Sequence, residues 1–346
     1  MKRYGKRCNG SMSNHINEGN KATRWRVPPM AILGYLIAIG GMAWVLHDIR
    51  IGDVWPYMSN LKWRWILPAV GLDLLTYAMQ GYRWELLLRQ VGRLSPWKAA
   101  EAIYAGLFTN EVLPLRVGEV VRAYLVSRWL GVQVLRVVPS MAVERLFDGL
   151  WLAAAVGVTA LAVPLPSQLE RAAEVLGAST LALTVGLAVW LMRPGAADVG
   201  GSRVRRAFRV LEVELREIGL SKRSYAAFVA SGVLPAAQAG AFWCAMKAYH
   251  LQLPGWAAVV VFLVVRLGTM VPNAPANIGS FQFFCVLGLM LFRIDKTVAT
   301  GFSLAMFLVL TVPLWLLGML AFGRSGMSLA TVKQQMANPE TKMTAL

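Results

Sequence analysis

Between two apolar runs, at 99–109 and 120–130, the chain reads NEVLPLRVGEVVR from Asn110 to Arg122. This stretch carries Glu111, Arg116, Glu119 and Arg122, and Pro114 and Gly118 prevent one continuous helix through it. Lipid offers no hydrogen bonds to an open backbone and little solvation to a charge. Both are tolerated at membrane depth only where protein or a water-filled cavity surrounds them. If its flanks lie in a membrane, the stretch has to be a buried polar site on an interrupted helix.

Composition puts the flanks in a membrane. Hydrophobic residues are 57% of the 346 residues and charged residues 15%, with a mean hydropathy of +0.52. A soluble domain has about 25% charged residues. Many apolar runs approach the roughly 20 residues that cross a bilayer, which predicts an all-α, polytopic helical membrane protein. The net charge of +17 would suggest nucleic acid in a soluble protein. Here basic cytoplasmic loops account for it, and no aromatic–basic RNA motif or DNA-reading helix is visible, so nucleic acid is not an expected partner. Cys8, Cys244 and Cys285 form no C-x-x-C, and His15, His47 and His250 are far apart. No metal site and no cofactor are expected.

Read in order, residues 1–26 form a basic, disordered cytoplasmic tail, 27–322 a single transmembrane domain, and 323–346 a cytoplasmic tail. About six full spans are expected, at 27–46, 66–81, 140–163, 176–192, 225–249 and 298–322. Arg83, Arg89, Arg93 and Lys98 then fall in a cytoplasmic loop. Asp73 lies inside the second span and is expected to face the bundle and find a partner. Between 201 and 219, Val204, Phe208, Leu211, Leu215 and Ile218 make one apolar stripe flanked by arginines. It reads as a cytoplasmic amphipathic helix, lying on anionic headgroups or packed on the span ends.

Two helix pairs are broken. The first occupies about 97–130, and its arms are short for full spans. The second has arms at 256–271 and 280–292, with Arg266 in the first arm and Asn273, Asn277 and Gln282 at and after the break. Pro114-x-x-x-Gly118 and Pro275-x-x-x-Gly279 share a spacing. With six spans the two hairpins enter from opposite sides, an inverted-repeat-like arrangement.

Glu144 and Asp148 stand four residues apart on one helix face, where they can meet Arg116 and Arg122. Arg116, Arg122 and Asn110 are candidates for binding a lipid phosphate. Glu119, Glu144, Arg145 and Asp148 would support them as ion pairs. The alternative is that the charges only stitch the hairpin to the next helix.

Gly81-Tyr-Arg83-Trp84, then Asn110-x-x-Leu-Pro114-x-Arg116-x-Gly118-Glu119-x-x-Arg122, then Glu144-Arg145-x-x-Asp148 resemble the flippase-like transmembrane domain of the lysylphosphatidylglycerol synthase family. The resemblance covers about 32–322. The family's second hairpin reads P-G-G-x-G-x-x-E; here Gln282 replaces the carboxylate and the glycine pair is partly kept. About 24 residues follow the last span, which leaves no room for a synthase domain. The resemblance therefore implies the lipid-handling membrane half, with anionic or polyprenyl-linked membrane lipids as partners. Other readings remain. One is a transferase acting on a polyprenyl-phosphate lipid, with Glu119 or Asp148 as base. The other is a non-catalytic partner of a lipid-synthesis enzyme, docking through 203–218. No metal cluster or Ser–His arrangement supports catalysis, so enzymatic activity is not the first expectation.

The loops assigned to the cytoplasm carry 24 Lys and Arg, against 5 in the external loops. This bias predicts an inner-membrane protein with both termini on the cytoplasmic side. A reporter active only outside the cytoplasm, fused at Leu346, should stay silent; activity there would reverse the orientation.

Overall fold

The computed structural model describes residues 29–47, 59–112, 117–162, 221–270 and 275–327, with isolated positions between them. The 1–26 tail, Arg116, most of the expected span at 176–192, the amphipathic helix expected at 201–219, Asn273 and most of the 323–346 tail lie outside the described residues. Every regular element described is helical. In order they are α1 (Pro29–Leu46), α2 (Trp63–Leu88), α3 (Pro96–Val112), α4 (Gly118–Leu130), α5 (Val134–Ala162), α6 (Lys222–Ala248), α7 (Gly255–Gly268), a 3-10 turn (Pro275–Asn277), α8 (Ser280–Met290) and α9 (Lys296–Arg324).

Local chemistry sets several of these boundaries. Ser221 caps α6 by accepting from the Ser224 N–H, and Asp295 caps α9 by accepting from the Thr297 N–H at 2.8 Å. Gly131, at φ +66°, ends α4 in the left-handed region, and the Val132 N–H turns back to the Ser127 carbonyl.

The expected six full spans with two opposed interrupted hairpins are not found. Among the described residues there are nine α-helices, and two of them, α6 and α9, are long and apolar enough to cross a membrane by length and composition. The physical reason differs from helix to helix. α2 and α5 have 26 and 29 residues, but charges interrupt their apolar character: Asp73, Arg83 and Glu85 in one, Glu144, Arg145 and Asp148 in the other. α7 and α8 are apolar but have only 14 and 11 residues. The second span was expected to end at Gly81. Instead α2 runs on to Leu88 and buries Arg83, which is not a loop cation.

α2 packs most extensively against α6, and α3 packs against α2, α4 and α9. α7 and α8 pair with each other, and α1 covers α8. Two apolar cores result. One gathers Phe242, Phe262, Phe281, Cys285 and Phe302 from α6–α9, and the other gathers Trp84, Ile103, Leu125 and Phe322 from α2, α3, α4 and α9. Large apolar side chains also face outward, among them Leu161, 92% exposed, and Leu67, 71% exposed. A monomer in water avoids such a surface, and lipid tails suit it.

The first broken pair closes through glycine. A Cβ on Gly118 would stand 1.8 Å from the Gly106 carbonyl oxygen, so the two backbones touch. Asn110 Oδ1 accepts from the Gly118 N–H at 2.7 Å, tying the end of α3 to the start of α4. The second break relies on Gly279 at φ +87°, where a Cβ would stand 2.0 Å from the Ala38 carbonyl oxygen. Ala276 and Asn277 are also left-handed there, at φ +59° and +53°.

Gly118→Ala should lower thermal stability in detergent by about 3 kcal/mol, the upper end of overpacking costs, or abolish the folded yield. Gly157→Ala, where nothing lies within 4 Å of the new Cβ, should leave stability unchanged or slightly raised.

Candidate functional site: a charged cluster beside a shared cavity

Six charged side chains from α2, α4 and α5 form one cluster. At its centre is Glu144, 1% exposed. Its Oε1 accepts from Arg83 Nη2 at 3.0 Å, and its Oε2 accepts from Arg122 Nη2. Arg83 also donates through Nη1 to Asp148 Oδ1 and, at 3.2 Å, to Ser231 Oγ on α6. Arg145 donates to Glu119 Oε1 and stands 3.6 Å from Asp148. Arg122 Nε lies 3.9 Å from Glu119. Three guanidiniums face three carboxylates, so the cluster is neutral overall. That balance is what makes such burial tolerable.

The cluster grades outward. Arg83, Arg122 and Glu144 are buried, Asp148 is 21% exposed by side chain, and Arg145 is 56% exposed. Under Arg122 lies Trp84, fully buried, with the guanidinium 4.1 Å from the ring centroid. A desolvated guanidinium over an indole gains about 2 kcal/mol. Trp84 Nε1 in turn donates to Ser140 Oγ at 3.0 Å, which fixes the ring against α5.

A cavity of about 250 Å³ opens beside this cluster. Asn110, Glu119, Arg122, Arg145, Asp148, Arg266 and Asn277 all border it, so residues of both broken helix pairs reach one space. A second cavity of about 170 Å³ shares Tyr77, Glu111, Gln238, Arg266 and Asn277 with the first. Arg266 is exposed into this space and has no ion-pair partner among the described residues. Glu111 accepts from Trp315 Nε1 at 3.2 Å rather than from a cation.

Of the residues singled out in the sequence, Asn110, Glu119, Arg122, Glu144, Arg145 and Asp148 come together here, and Arg266 and Asn277 line the same cavity. Gln282 lines neither cavity. It is 2% exposed, and its Oε1 accepts from the Gly279 N–H at 2.8 Å, holding the second break in shape. Asp73 is buried as expected, but no cation reaches it among the described residues, and its Oδ2 has no hydrogen-bond partner. Arg83 was missed as a site residue. The Gly81-Tyr-Arg83-Trp84 run carried the signal, but hydropathy assigned it to a loop. Among the described residues, no three His, Cys, Asp or Glu are grouped so as to hold a metal.

The family model described as the lysylphosphatidylglycerol synthase TM region matches residues 31–318. The chain is also similar to a curated protein from Haloferax volcanii, glycosyltransferase AglD, at 25% identity over 185 residues. That match covers 53% of this chain and 30% of the relative, so the chain spans less than a third of that protein's length.

Glu144→Gln should cost about 3–5 kcal/mol, read as a fall in Tm in detergent, because Arg83 and Arg122 lose their shared anion. Arg145→Ala should stay within about 1 kcal/mol of wild type, since its ion pairs lie at an exposed edge.

Proposed function

The chain belongs to the lysylphosphatidylglycerol synthase TM-region family, and from that premise we propose that it binds or translocates a phosphate-bearing lipid whose headgroup enters the cavity between the two broken helix pairs. The family match and the buried Arg–Glu–Asp network support a membrane domain that interacts with lipid. Arg266 is the observation that carries the finer reading. Arg83, Arg122 and Arg145 are each engaged by carboxylates, whereas Arg266 borders both cavities with no acidic partner among the described residues. A planar guanidinium free of carboxylates suits two-point binding of a phosphate. Asn110 and Asn277 add amides to the same wall. Arg122 would contribute charge from the cluster while keeping Glu144.

The wider reading follows from the same premise. On this reading the chain is multi-pass with both termini in the cytoplasm, supported by the seven Lys and Arg of residues 1–26 and the three of residues 323–346. A lipid-synthesis enzyme is the natural source of the lipid and a natural partner. The name of the Haloferax volcanii relative favours glycosyl transfer as a second reading. Against it, Glu119 and Asp148, the carboxylates on the cavity wall that would serve as bases, are both engaged by arginines.

Arg266→Gln should leave Tm in detergent unchanged and reduce lipid binding or translocation in reconstituted vesicles by about tenfold or more, the loss expected for a charge-assisted hydrogen bond. Arg266→Lys should restore only part of it, because the two-point geometry is lost. Wild-type transport in Arg266→Gln would remove the phosphate from this position.

A further inference from the structure

Asp73 is used by nothing described so far. It lies in the middle of α2, 1% exposed, with Oδ2 lacking any hydrogen-bond partner among the described residues. Its own helix offers cations only at Arg64 and Arg83, each more than two turns away, and Arg83 is held by Glu144 and Asp148. The helices packed on α2 offer none nearby. α6 carries its charges at its ends, in Lys222, Arg223 and Lys247, and α9 likewise in Lys296 and Arg324. On α5, Glu144, Arg145 and Asp148 belong to the cluster, and Arg136 stands in the first turn. α3 has Lys98 and Glu101 near its start, paired with each other, Glu111 near its end, and Tyr104 between them.

A carboxylate so buried is shielded from water and has no cation among the described residues to stabilise its charge. Burying an isolated ionised carboxylate is far costlier than binding a proton to it. The surroundings also supply a way out. Tyr77 follows Asp73 by one turn of α2, and its ring lies 5.4 Å from that of Tyr104 on α3. Tyr77 also borders both cavities, together with Glu111 and Arg266. Asp73 thus lies one helical turn along α2 from Tyr77 of the cavity wall, whose ring meets that of Tyr104.

We propose that Asp73 is a proton-binding site that exchanges its proton with the cavity past Tyr77 and Tyr104. In the packed form the carboxyl is the neutral acid. When α2 and α3 part beside Tyr77, the carboxyl O–H bond breaks, the proton passes to a cavity water, and the carboxylate becomes hydrated; reclosure reverses the step. If the cavity moves lipid, as proposed above, this exchange couples that movement to a transmembrane proton gradient. The coupling rests on that reading, and the proton site itself does not.

The test begins with infrared spectroscopy of the full chain in lipid, in deuterated buffer at neutral pH. Wild type should show the carbonyl stretch of a protonated carboxyl that Asp73→Asn lacks, and the band should fade reversibly as pH is raised. The near-isosteric Asn mimics the neutral acid, so its Tm in detergent should match wild type. Absence of the band from wild type, or its persistence in Asp73→Asn, overturns the site. A band that survives every pH at which the protein stays folded overturns the exchange. The second arm follows a fluorescent phospholipid in vesicles under an imposed pH difference. Wild type should respond severalfold and Asp73→Asn should not. An equal response in both overturns the coupling. A titrating band in a wild type that moves no lipid sustains the proton site and defeats the transport reading instead.

Discussion

Glu144 holds two guanidiniums from two different helices, one on each carboxylate oxygen, in a place water does not reach. Removing charges from water costs several kcal/mol for each ion, and only close pairing with further hydrogen bonds returns that energy. Each member of the cluster is therefore tolerable only because the others are where they are. Arg83 requires α5 to present Glu144 and Asp148 on one face, and requires Ser231 from α6. Arg122 requires the same Glu144 and the indole of Trp84 beneath it. The positions of α2, α4, α5 and α6 are coupled through a handful of polar atoms inside an otherwise apolar bundle.

That coupling explains the character of the cavity next to it. Its wall is rich in charge but mostly compensated, with Arg266 and Glu111 as exceptions among the described residues. Arg266 comes from the second broken pair, and Glu111 answers an indole instead of a cation. Asp73 lies one turn of α2 from Tyr77 of the same wall, with no cation partner among the described residues. The compensated residues set the architecture, which leaves the uncompensated ones available to a ligand or a proton.

The break between Val112 and Gly118 was legible in the sequence because proline, glycine and charge interrupt an apolar run, and no continuous helix survives that locally. The shared face of Glu144 and Asp148 was legible from a spacing of four. Arg83 was not. Its partners lie 61 and 65 residues away, and only the folded chain shows that they neutralise it. Hydropathy reads an uncompensated arginine as a loop, which is why α2 runs seven residues beyond its expected end at Gly81. The same blindness inflated the number of full spans, since apolar runs announce burial and do not separate a short helix buried among others from one that crosses a bilayer. The positions of Arg116 and Asn273 lie outside the described residues.

Where α3 and α4 cross, Gly118 and Gly106 leave no space even for a methyl group, and Asn110 bonds across the same junction. Two surfaces in such contact have no slack in which to slide or rock. The first broken pair has to behave mechanically as one rigid wedge. Any change in the volume of the cavity must then come from the elements around the wedge, among them the second break, where the backbone at Ala276, Asn277 and Gly279 turns through left-handed conformations and Arg266 has no carboxylate partner among the described residues.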